Sequence, residues 1–96
     1  MAKGTWEATA ASTAIIAANA YRDQLLIQKL DVGCVAVSLG IGEAAIAGEG
    51  VQLVNVYDTI ILHGAAARGA VYAIGDGGSG TYQDGDVEYR TGPLAL

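Results

Sequence analysis

The chain holds one cysteine, Cys34, and one histidine, His63. Together they would make a nucleophilic pair only if they met in space beside a third, orienting group. Cys34 stands inside an apolar run, where a thiol ordinarily serves as a small hydrophobe. His63 closes a strand-like run, where exposure to solvent is ordinary. One Cys and one His do not make a four-ligand zinc site. Ser12, Ser38 and Ser79 stand outside any G-x-S-x-G context. Asp76, Asp84 and Asp86 offer oxygen ligands of the kind Ca²⁺ takes. Their spacing is not that of an EF-hand, and aspartate beside glycine is also the composition of tight turns. Gly40-Ile41-Gly42-Glu43-Ala44-Ala45 fits G-x-G-x-x-A, the pattern that cradles pyrophosphate at a helix N-terminus. Gly48 and Gly50 would break such a helix, and Glu43 puts a negative charge where phosphate would sit. The segment reads as a glycine-rich connection between strands. No catalytic residues, no metal and no cofactor are expected, and the protein is read as not an enzyme.

Residues suited to a partner are easier to name. Arg22, Arg68 and Arg90 each adjoin an apolar run. Arginine pairs bidentately with carboxylates and is enriched at interfaces, although an ordinary surface ion pair is an equal alternative. Trp6 lies near the N-terminus. Its ring packs either on its own sheet or on a partner. Pro93, Leu94 and Leu96 belong to an apolar C-terminal tail that is free to extend. Trp6, Arg22, Arg68, Arg90, Pro93, Leu94 and Leu96 are therefore the candidate contact residues.

These residues need elements to hold them. The 96 residues suit one domain, read as an arm over about 1–12, a core over about 13–91 and a tail over 92–96. A chain of this size buries about 64% of its unfolded surface, enough for one modest core. It is 52% hydrophobic and only 16% charged, which is not the profile of a disordered chain. Ten acids against five bases leave a net charge of −5, the wrong sign for direct binding to nucleic acid. Low charge density hints at buried interfaces. No run of 18 apolar residues is present to span a membrane. The lone cysteine and the want of a secretory signal point to a reducing cytosol. Fourteen glycines and one proline separate short apolar runs. Strands are expected around Leu25–Ile27, Val35–Leu39, Gly50–Val54, Tyr57–His63, Ala70–Ile74 and Asp86–Arg90. Thr9–Ile16 is expected to be extended, with a turn at Ala18-Asn19, and Glu43–Ala47 as one helical turn. Asp76–Gly80 and Asp84–Asp86 read as loop and turn. The fold class is all-β: a small antiparallel β-sandwich or barrel, jelly-roll-like, with extended N- and C-terminal arms.

Several segments carry a resemblance: Thr13–Asn19, Arg22–Gln28, Val35–Gly40, Gly42–Ala45, Gly48–Leu53 and Gly69–Ile74. Their order resembles small structural proteins of tailed bacteriophages, the capsid decoration or cement proteins. The likeness spans about Thr13 to Ile74, and its motifs are strands and turns without a catalytic signature. The Asp76–Asp84 loop and the Arg90–Leu96 tail stand outside it. The resemblance implies a compact β-fold, assembly in the cytoplasm of an infected bacterium and a place on the capsid exterior. It implies the major capsid protein as partner, stabilisation of the head shell, and a homo-oligomer, often a trimer. The Met1–Glu7 arm and the C-terminal tail would serve as tethers. An alternative keeps the protein in the virion as a receptor- or carbohydrate-binding module of a tail or head fibre. Tyr21, Tyr57, Tyr72, Tyr82 and Tyr89 would then stack on sugars.

Overall fold

Alternation along Arg22–Lys29 organises the molecule. Leu25, Ile27 and Lys29 are buried, while Gln24, Leu26 and Gln28 lie on the other face and are only half-buried. Period-two burial of this kind makes one sheet face a core and leaves the other outside. The computed structural model describes residues 3–31 and 36–86, with backbone alone for 85 and 86. In chain order these form β1 (Lys3–Glu7), β2 (Thr13–Ile16), β3 (Arg22–Lys29), β4 (Val37–Ile41), β5 (Val51–Leu53), β6 (Thr59–His63), α1 (Ala65–Arg68), β7 (Val71–Ile74) and β8 (Ser79–Asp86).

Two four-stranded antiparallel sheets face each other, as expected of a β-sandwich. The first has the order β1-β8-β3-β6 and the second β2-β7-β4-β5. Leu25, Ile27 and Leu62 from the first meet Val37, Leu39, Leu53, Val71 and Ala73 from the second in one core. Burial of such side chains contributes roughly 1.5–3 kcal/mol each before entropy is counted.

The outer faces differ. On the second sheet, the segment 42–50 folds across β4. Gly48 N donates to Ser38 Oγ at 2.9 Å, Ala45 N donates to Ser12 Oγ at 2.9 Å, and Ser38 Oγ donates to Gln52 Oε1 at 2.9 Å. A Cβ at Gly40 would lie 2.8 Å from the Ala44 carbonyl carbon, so only glycine lets this strap close. Ser38 is buried on the outer face in consequence. Among the described residues, nothing covers the outer face of the first sheet in that way.

Three expectations need correction. Residues 3–7, expected within an N-terminal arm, are a strand of the first sheet. The span from Ser79 to Asp86, read as loop and turn, is β8, which lies between β1 and β3. Its Gly80 leaves room for the Trp6 ring and the Gln28 backbone and does not break the strand. Residues 43–47 form no helical turn, because Gly42 and Gly48 at φ 76° and 83° bend the chain into the strap. The helical turn is α1. The strand expected at Asp86–Arg90 lies outside the described residues beyond Asp86.

Candidate functional site

Arg22 opens β3 but points into the sandwich and is 2% exposed. Its Nε donates to Ala67 O and its Nη2 to Gly69 O at 3.0 Å. The last carbonyls of a helix have no partner within it, so a buried guanidinium supplies the donors that α1 lacks. Asp84 Oδ2 lies 3.9 Å from Nη1. Burial pushes the guanidinium below its ordinary value, while Asp84 and Tyr82 pull it back up. Arg68 lies beside this cluster with its side chain 43% exposed, and its Nη2 donates to Asp23 Oδ1 at 3.2 Å.

At the opposite end of β3, Lys29 is completely buried. Its Nζ donates to Asp31 Oδ2 at 2.9 Å, and Asp31 Oδ1 in turn accepts from Ser79 N at 2.9 Å. This pair was missed in the sequence. The signal was its position, two residues beyond Ile27 on the buried face of an alternating strand. The adjacent loop is also built on a carboxylate. Asp58 Oδ2 accepts from Val54 N at 2.9 Å and from Asn55 N at 2.8 Å. These backbone donors hold its carboxyl below the usual range. Tyr57, one residue before it, is held at φ 72° and is 68% exposed.

Of the candidate contact residues, Trp6 is in the chain's own core at 4% exposure, with Nε1 donating to Thr81 O at 3.1 Å. Own-sheet packing is thus the alternative realised within the chain. Arg22 is likewise committed internally, and Arg68 stays at the surface. Arg90, Pro93, Leu94 and Leu96 lie outside the described residues, as does Cys34. His63 is exposed at the end of β6. Asp84 is buried within β8, whereas Asp76 is exposed before that strand begins; among the described residues no cluster of three metal-ligating side chains forms. Gly40 and Gly42 are followed by the strap, with no helix to receive a phosphate. Tyr72 and Tyr82 are half-buried, and Tyr89 lies outside the described residues. Tyr21 and Tyr57 are 81% and 68% exposed but stand at opposite ends of β3. Among the described residues no tyrosine platform forms.

Among the described residues, the broad feature left open is the outer face of the first sheet. The register aligns Lys3, Gln83, Leu26 and Ile61 in one row and Thr5, Thr81, Gln28 and Thr59 in the next. Ile61 is 47% exposed. A shallow hollow of about 380 Å³ lies on this face between Lys3, Thr5, Leu26, Gln28, Thr81 and Gln83. Short polar side chains around two aliphatic ones suit a broad contact with protein. Comparison with family models, curated proteins and solved structures finds no match for the chain.

Proposed function

We propose that the chain is a structural virion protein, a decoration or cement subunit that binds the outside of a phage capsid and stabilises the head shell. The resemblance over Thr13–Ile74 supplies the role, and the open outer face of the first sheet carries the reading. One sheet is covered by the chain's own strap, and the other presents Leu26 and Ile61 among threonines and glutamines. The charged groups of the interior hold the fold: Arg22 secures α1, and Lys29 pairs with Asp31. Repeated docking on a symmetric lattice multiplies a modest contact into firm attachment. The net charge of −5 suits a surface turned away from packaged DNA.

Purified virions and capsids reconstituted with and without the protein test this. Copy number in the hundreds and greater resistance to heat or osmotic shock are expected. A handful of copies would indicate a fibre or tail component, and equal resistance would overturn the stabilising role. Leu26→Lys, at the centre of the open face, is expected to reduce capsid occupancy at least tenfold, the equivalent of about 1.4 kcal/mol.

A further inference from the structure

Among the described residues the two sheets end in four edge strands, β1 and β6 in the first, β2 and β5 in the second. Soluble proteins protect such edges with charge, bulges or short length. β1 carries Lys3 and Glu7. β2 is irregular between Ala14 and Ile16. β5 has three residues. Within Thr59–His63, β6 has none of these devices: its five residues read Thr-Ile-Ile-Leu-His, without a formal charge at neutral pH, proline or glycine, and the irregular pairing, where Lys29 bonds to both Tyr57 and Asp58, lies before the strand begins.

Its open backbone groups can be assigned. Lys29 N donates to Asp58 O, Tyr57 N to Lys29 O, and Gly64 N to Asp23 O. Bonding residues alternate along an antiparallel pair. Leu25 and Ile27 therefore also turn their backbone groups toward β6, where they stand opposite Leu62 and Ile60. The N–H and C=O groups of Thr59, Ile61 and His63 then point away from the sheet. The side chains of the same three residues are exposed on the outer face.

We propose that β6 is a strand-addition edge through which two copies of this chain join, antiparallel, about a two-fold axis at Ile61. Such an interface is self-complementary. Thr59 of one copy stands opposite His63 of the other, and Ile61 stands opposite Ile61. The Leu26–Ile61 row of each outer face runs into its counterpart, so that two half-open apolar pairs become one continuous strip. Copies carrying a net charge of −5 repel each other, and β6 offers an approach whose strand bears no carboxylate. The eight-stranded sheet that results closes the unprotected edge. This contact goes beyond capsid binding and does not depend on it.

Light scattering and sedimentation of the full chain, from low to high micromolar concentration, are expected to give a two-chain mass. Ile61→Lys is expected to reduce it to one. Register is read independently by cysteine in a Cys34→Ser background. Residues facing each other across the axis lie about 5.5 Å apart, within disulfide range. Ile61→Cys should cross-link on mild oxidation. Thr59→Cys should not, because the two thiols would stand about 14 Å apart along the strands. Circular dichroism confirms that each variant is folded, and the cysteine pair decides the matter if Ile61→Lys is not. A single-chain mass throughout, a three-chain mass, an unchanged mass for Ile61→Lys, or equal cross-linking by both cysteines overturns the proposal. Loss of capsid binding alone leaves these readouts unchanged and bears only on the decoration role.

Discussion

Trp6 stands directly opposite Gly80 in the β1–β8 register, and two residues away the relation is reversed, with Tyr82 opposite Gly4. A Cβ at Gly80 would lie 2.8 Å from Trp6 Cζ2 and would also collide with Gln28 O. A Cβ at Gly4 would lie 2.9 Å from Tyr82 Cε2. Each strand thus lends the other a glycine over which an aromatic ring lies. This exchange fastens an edge strand of five residues to the sandwich.

Gly80→Ala therefore forces either the indole or β3 to move. It is expected to destabilise the chain by about 2–4 kcal/mol, as overpacking plus backbone displacement. Trp6→Ala should cost about 3–5 kcal/mol and release β1. Urea denaturation gives both values, and amide exchange over Lys3–Glu7 reports the release. A Gly80→Ala variant as stable as the parent would refute the packing argument.

Arg22 bridges β3, β8 and the end of α1. Its removal leaves Asp84 buried beside an empty site and two carbonyls without their donor. Arg22→Ala is expected to cost about 3–5 kcal/mol. Arg22→Lys should recover only part, because an ammonium does not reproduce the fork that reaches Ala67 O and Gly69 O together. Equilibrium unfolding of the two variants ranks them, and equal stability would show that the fork is not what matters.

The strands that alternate or carry β-branched runs are legible in the sequence. Leu25–Ile27, Val37–Leu39, Thr59–His63 and Val71–Ile74 all fall where pattern put them. β8 was not legible, because Gly80 and Gly85 look like breakers unless one knows that Trp6 needs the space over Gly80. For the same reason the sequence left Trp6 open between packing on its own sheet and anchoring on a partner. Pairing between residues 75 positions apart, such as Trp6 Nε1 with Thr81 O, leaves no local trace. Lys29 was hidden for a different reason. Its charge marks it as a surface residue, and only the phase of the strand reveals that it is buried. The open sheet face became visible only once the strap was seen to cover its counterpart.

Lys29 separates the apolar stem from the charge. Replacing both the stem and the ammonium, as in Lys29→Ala, removes packing and leaves Asp31 without its partner in the pair. Lys29→Met keeps most of the volume and loses only the charge. Lys29→Ala is expected to cost about 3 kcal/mol or more, and Lys29→Met about half of that. Thermal unfolding of the two variants side by side tests the order. If Lys29→Met were the less stable, the ion pair would outweigh packing at this site.

Asp58 links the fold to pH. Its carboxylate takes two backbone donors, from Asn55 and Val54, and these lower its folded value below the ordinary 3.8. A group depressed in the folded state binds protons more readily when unfolded. Its contribution is therefore fully present above the unfolded value and is lost as pH falls through the folded one. At neutral pH, Asp58→Ala is expected to lower the melting temperature and free the turn that holds Tyr57 at φ 72°. The difference between the parent and Asp58→Ala should stay constant from neutrality to about pH 5 and narrow below pH 4. Asp58→Asn, which keeps an oxygen acceptor without the charge, should fall between them at neutral pH. Melting temperatures of the three proteins across this range provide the check. A gap that stayed constant into strong acid would mean that the carboxylate's charge has no part in closing the loop.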